Sequence, residues 1–165
     1  TTYYLGLSLA VLFLGKLAFS FSTNDHLSFM LKPLSVIVGA VFNAPHYLNP
    51  ENAYTFDQLD IVITQACSGI NFLLICFIML QFLRSPKLNS HKAQIICLLS
   101  TLAISYVYAL LVNSSRIACS IWVQGSPLGQ ISWMHKSLGA FIYLSFLIAL
   151  YLSANLIIQK KETAS

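Results

Sequence analysis

Five largely apolar runs, roughly residues 3–22, 29–43, 66–83, 93–113 and 134–158, take up most of this 165-residue chain. Crossing the hydrocarbon of a bilayer takes about 20 apolar residues in a helix. Inside it every backbone amide must be bonded within its own segment, so helices are the natural solution. The composition agrees: 57% of residues are hydrophobic and 8% charged, whereas a soluble domain carries about 25% charged residues. The expected fold is therefore all-α, a polytopic membrane bundle of about five transmembrane helices. One integral-membrane domain, residues 1–165, holds it all, with a short extracytoplasmic loop before the third helix.

The link of residues 84–92 contains Arg84, Lys87 and Lys92 and no acid, which marks it cytoplasmic by the positive-inside rule. Lys160 and Lys161, after the last run, fall on the same side by parity. Lys16 and Lys32 flank the polar link Thr23–His26 and are expected to snorkel toward the cytosol together. The second run is short and carries Lys32 and Pro33 near its start, as a tilted or incompletely inserted helix would. The longest polar stretch, 43–60, holds three of the five acidic residues. It leads into β-branched Ile61-Val62-Ile63-Thr64, which predicts a short extended segment. The first run has a competing reading as a signal peptide, but no basic residue precedes it and Lys16 interrupts its later part.

The positive charges are scattered at segment ends, as topology signals are, so the net charge of +4 does not describe a nucleic-acid surface. Of four cysteines, Cys76 and Cys97 fall inside apolar runs and read as small hydrophobes. No CxxC occurs, which disfavours a membrane disulfide-forming enzyme. No Cys/His pair has the spacing of a metal site, and no cofactor is expected.

Three residues stand at boundaries that parity places on one membrane face, away from the cytosol. Cys67 opens the third run, Arg116 follows the fourth, and His135 opens the fifth. A helix starting near Ala66 would put Cys67 in its first turn, where free N–H groups and the macrodipole favour an anion. Ser68 is its immediate neighbour, and Gly69 would let a substrate backbone approach. Asn71, four residues on, would share its helical face and donate to an oxyanion. Arg116 keeps its charge at any working pH and is suited to stabilising an oxyanion; Asn113, three residues earlier, would orient it. An imidazole ordinarily titrates near pH 6.5, so His135 suits proton transfer, and Gly139 at i+4 clears space beside it. His46, Asp57, Asp60 and Cys119 are expected on or near the same face. Helices pack at roughly 8–10 Å between axes, so three neighbouring helix ends can bring nucleophile, base and oxyanion donor together. Each signal has a bland counterpart: a structural cysteine, a snorkelling arginine, an interfacial histidine beside Trp133.

The strings Ala66-Cys67-Ser68-Gly69-Ile70-Asn71-Phe72, Asn113-Ser114-Ser115-Arg116-Ile117 and His135-Lys136-Ser137-Leu138-Gly139 resemble the three signature blocks of the exosortase/archaeosortase family. The likeness is greatest to its compact exosortase K branch and covers nearly the whole length. It implies a membrane cysteine protease-transpeptidase of the bacterial cytoplasmic membrane with an extracytoplasmic active site. Its partners would be exported proteins bearing a C-terminal sorting signal (a short motif, a hydrophobic span and a basic tail), membrane lipids, and an acceptor glycan or lipid. By that likeness Cys67 is the nucleophile, His135 the acid/base and Arg116 the transition-state stabiliser. The competing reading is a non-catalytic membrane scaffold or lipid-binding subunit whose Arg116 and His135 hold head groups. A small transporter ranks last, because paired intramembrane charges are missing.

Overall fold

The computed structural model describes the backbone of residues 2–84, 90–124 and 132–163, and the side chains of 6–84, 90–124 and 137–160. It is mostly helical: α1 (Thr2–Ser20), α2 (Ser28–Phe42), α3 (Ile70–Arg84), α4 (His91–Gln124) and α5 (Ser132–Thr163). Three stretches, Gln65–Arg84, His91–Gln124 and Ser137–Lys160, are long and apolar enough to cross a membrane; Gly6–Ser20 and Ser28–Phe42 are apolar but shorter. Hardly any of Ser137–Lys160 is buried within the protein. Phe141, Leu144, Ile148, Leu152 and Leu156 are all exposed. A helix this apolar with so little protein around it needs an apolar solvent.

The fold is not all-α. The polar stretch before α3 forms a small antiparallel sheet, β1 (Tyr47–Leu48), β2 (Tyr54–Phe56) and β3 (Ile61–Ile63), in the order β1-β2-β3. The extended segment expected from Ile61-Val62-Ile63 is β3, paired with β2 through Thr55 opposite Val62. The two other strands, of two and three residues, are too short to leave a periodic signal. What makes them is the turn between them. Asn49 Oδ1 accepts from the backbone N–H of Glu51 and of Ala53, and Asn52 takes a left-handed conformation (φ 56°), as asparagine does more readily than most residues.

Two compact units can be distinguished along the chain. The first comprises Thr1–Ser20, Ile70–Ala109 and Leu144–Ser165. Within it α1 packs on α3, where Gly15 leaves room for Leu74; a Cβ there would lie 3.0 Å from Leu74 Cδ2. Buried Gln81 donates to Thr101 Oγ1 at 2.6 Å, and that hydroxyl bonds to the Cys97 carbonyl at 2.8 Å, tying α3 to α4. Polar side chains of this kind hold helices together where the surrounding solvent is apolar. Tyr108 Oη donates to the Phe146 carbonyl at 2.7 Å and joins α4 to α5. Lys16 Nζ donates to Asn71 Oδ1 at 2.6 Å, joining α1 to α3.

The second unit comprises Phe21–Gly69 and Leu110–Tyr143. Its core is the stripe Met30, Leu31, Leu34 and Val38 of α2, buried with Phe56 and Ile63 of the sheet. The spacing is that of one helical face. Asn43 ends α2 in the left-handed region (φ 48°), and the following N–H of Ala44 bonds the Gly39 carbonyl, as a helix C-terminus requires.

Candidate active site

The segment from Thr64 to Gly69 carries the cysteine. It is not the first turn of an α-helix, as the sequence suggested. Gln65–Cys67 form a single 3-10 turn, closed by Cys67 N–H to the Thr64 carbonyl at 2.8 Å and Ser68 N–H to the Gln65 carbonyl at 3.0 Å. Gly69 then adopts φ +72°, and α3 starts only at Ile70. A left-handed residue interrupts the helical repeat, so Asn71 does not share a helical face with Cys67. Asn71 Oδ1 instead accepts from Lys16 Nζ.

The turn is tied down from three sides. Asn24 accepts from Gln65 N–H at 2.8 Å through its Oδ1 and donates to the Glu51 carbonyl at 2.8 Å through its Nδ2. One side chain thus links the hairpin loop to the cysteine turn. Gln65 Nε2 adds a bond to Ser22 Oγ at 3.2 Å. From α4, fully buried Asn113 donates through Nδ2 to the Cys67 carbonyl, while its Oδ1 accepts from Tyr143 Oη at 2.7 Å. The sequence suggests Asn113 as the residue that orients Arg116; both ends of its amide are engaged elsewhere, one of them on the Cys67 backbone.

Gly69 is required here twice over. Its positive φ costs an L-residue about 1–2 kcal/mol, and a Cβ would meet the Asn113 side chain at 3.0 Å. We expect Gly69→Ala to lower stability by about 2 kcal/mol or more, read by thermal unfolding in detergent. Part of that loss should return in the Gly69→Ala/Asn113→Ala double variant, because only the steric share depends on Asn113. A strictly additive pair of losses would mean that the amide is not what crowds the position.

Arg116 lies within α4 rather than past its end. Asn113-Ser114-Ser115-Arg116 ends the apolar run but not the helix, which continues to Gln124. The hydroxyls of Ser114 and Ser115 bond back to the Leu110 and Leu111 carbonyls at 2.7 and 2.9 Å, so neither competes with the helix for backbone groups. The Arg116 guanidinium sits 5.2 Å from the centroid of the Tyr143 ring, within cation–π range. Its stem runs past Gly139, where a Cβ would be 3.4 Å from Arg116 Cδ. No carboxylate forms an ion pair with Arg116 among the described residues, so the charge remains uncompensated there.

Cys67 is half-buried, with a free thiol. It lines a cavity of about 410 Å³ together with Arg116, all three residues of β3, and the α4 face that carries Ile117 and Ile121. That volume suits a ligand site. Ser68 points away from solvent (1% exposed), and its Oγ has no partner among the described residues. His135 belongs to the first turn of α5, but its side chain lies outside the described residues. His46 is not in this cavity: its ring stacks on Phe56 at 5.0 Å and meets Tyr54 edge-on at 5.8 Å. Asp57 accepts from Tyr47 Oη at 3.2 Å. That bond and the adjacent carboxylate hold the Tyr47 phenol above its ordinary pKa.

Tyr143 and Asn24 are the residues the sequence reading missed. Tyr143 touches both halves of the site, the Asn113 amide through its hydroxyl and Arg116 through its ring. Tyr143→Phe keeps the ring and removes one hydrogen bond, an expected loss of about 1 kcal/mol. Tyr143→Leu removes the ring as well and should cost more. Equal losses in the two variants, measured by thermal unfolding, would show that the ring does not hold Arg116.

No protein-family model, curated protein or solved structure matches this chain.

Proposed function

We propose that this chain is a membrane-embedded cysteine peptidase and transpeptidase of the exosortase type. In this reading about five helices span the bacterial cytoplasmic membrane, and the site opens on its outer face. It acts on exported proteins that carry a C-terminal sorting signal. The observation that carries the reading is the single cavity lined by both Cys67 and Arg116. A thiol and a guanidinium that has no carboxylate partner among the described residues, on one cleft, supply a nucleophile and a stabiliser for the charge it creates.

The substrate, anchored by its own C-terminal span, meets the enzyme by diffusion in the plane of the membrane. The Cys67 thiolate attacks the scissile carbonyl, forming a C–S bond and a tetrahedral oxyanion that faces Arg116. Collapse of that intermediate breaks the C–N bond. The imidazole of His135, assigned by the resemblance, protonates the leaving amine, and the C-terminal tail departs. The acyl thioester then passes to an acceptor amine on a glycan or lipid carrier, or to water, with His135 removing the proton and the thiol restored.

Mass spectrometry of the enzyme, quenched during turnover of a co-expressed exported protein with such a tail, tests the reading. An acyl adduct on the Cys67 peptide that hydroxylamine removes is the expected result. Substrate that loses its tail with no adduct on Cys67 under any quench, and no change on thiol alkylation, would sink the covalent mechanism.

A further inference from the structure

The cavity that holds Cys67 follows the edge of a strand rather than a face of the sheet. Successive side chains of a strand point to opposite faces. A cavity against one face would therefore meet Val62 alone, or Ile61 and Ile63 without it. This one is lined by all three, as a cavity running along the backbone edge would be. β3 is the last strand in the order β1-β2-β3 and pairs with β2; no strand covers its other edge among the described residues.

The same edge leads directly to the nucleophile. Thr64 continues the extended backbone (φ −114°, ψ −178°) and the turn containing Cys67 follows at once. The facing wall is α4, with Arg116, Ile117, Ser120, Ile121 and Gln124 at the spacing of one helical face. An open strand edge displays backbone donors and acceptors in alternation and readily templates another extended chain. A phosphate head group offers acceptors only, and a glycan hydroxyl array does not keep the period of a strand. An extended polypeptide has both the alternation and the period, and the α4 wall, with Ile117 and Ile121 beside the polar Arg116, Ser120 and Gln124, can receive every second side chain.

We propose that the protein substrate lies in this cleft as an extended segment that adds to the free edge of β3 as a fourth strand. Its scissile carbonyl is then delivered to Cys67 by backbone register. This rests on the acyl-transfer reading above and adds to it how the substrate is held. Affinity would come from main-chain bonds, with side-chain selection limited to alternate positions facing α4.

The test uses the full chain in lipid nanodiscs and an acetyl-trialanyl chloromethyl ketone, whose chloride is displaced by the thiolate to leave a thioether. The rate of adduct formation on the Cys67 peptide is followed by mass spectrometry for this reagent and for three versions, each N-methylated at one amide. Iodoacetamide, which has no strand to pair, reports the thiol alone. Strand addition predicts an alternating pattern: methylation at one parity slows labelling by about tenfold, while the other parity leaves it nearly unchanged. If iodoacetamide labels Cys67 readily and the three methylations act alike or not at all, strand addition is wrong and the acyl-transfer reading stands. If neither reagent labels Cys67, both are wrong.

Discussion

Cys67→Ala should abolish removal of a C-terminal tail from a co-expressed membrane-anchored substrate while leaving the chain folded. Loss of the nucleophile in a covalent hydrolase lowers turnover by on the order of a millionfold, which in a cellular assay means no detectable product. The fold should survive because what holds this turn is backbone. Cys67 N–H bonds the Thr64 carbonyl at 2.8 Å, and the Cys67 carbonyl accepts from Asn113; alanine keeps both. The half-buried thiol contributes little packing, so the change in stability should stay below about 1 kcal/mol. Thermal unfolding of the purified variant and mass spectrometry of the substrate, taken together, separate chemistry from folding. A variant that melts with wild type and still processes at the wild-type rate would exclude Cys67 as nucleophile.

Hydropathy located the helices well and their ends poorly, for a physical reason. An apolar run reports which residues avoid water, whereas a helix ends where the backbone must change conformation. At 113–116 the polar string Asn-Ser-Ser-Arg closes the fourth apolar run, yet α4 passes through it, with both serines bonded back to its own carbonyls. At Gly69 the opposite holds. The apolar run had already begun, but a positive φ delays α3 to Ile70 and removes Cys67 and Asn71 from a common face. The strand signal of Ile61-Val62-Ile63 was legible because three β-branched residues in a row favour extended backbone. The boundary residues Cys67 and Arg116 were singled out from position alone, and they line one cavity. What the sequence could not show were contacts between distant positions. Asn24 reaching Gln65, Asn113 reaching the Cys67 carbonyl, and Tyr143 reaching both Asn113 and Arg116 span 27 to 46 residues of chain. None leaves a local pattern, and a tyrosine within an apolar span reads as one more aromatic.

Arg116→Lys keeps the positive charge and is nevertheless expected to lower kcat by about a hundredfold, with Arg116→Gln nearer a thousandfold, the usual range for loss of one oxyanion donor. The guanidinium is planar and lies over the Tyr143 ring at 5.2 Å, while Gly139 leaves passage for the stem beside it. Ring and glycine together hold a rigid fork of donors at one place on the cleft. A lysine ammonium is a compact, strongly hydrated charge on a flexible stem; it fits beside Gly139 but is not held flat on the ring. If Arg116 acts on the oxyanion, both variants lose kcat and leave KM close to wild type, because the interaction exists only in the transition state. If its task is to bind a carboxylate of the substrate, lysine should restore most of the activity and glutamine should raise KM. If it merely anchors a lipid head group, neither variant should change turnover in detergent. Gly139→Ala adds a finer check. A methyl 3.4 Å from Arg116 Cδ displaces the stem by a few tenths of an ångström without touching its charge. A fall in kcat of several-fold with unchanged KM would show that the position of the guanidinium matters, as preorganised stabilisation of an oxyanion requires.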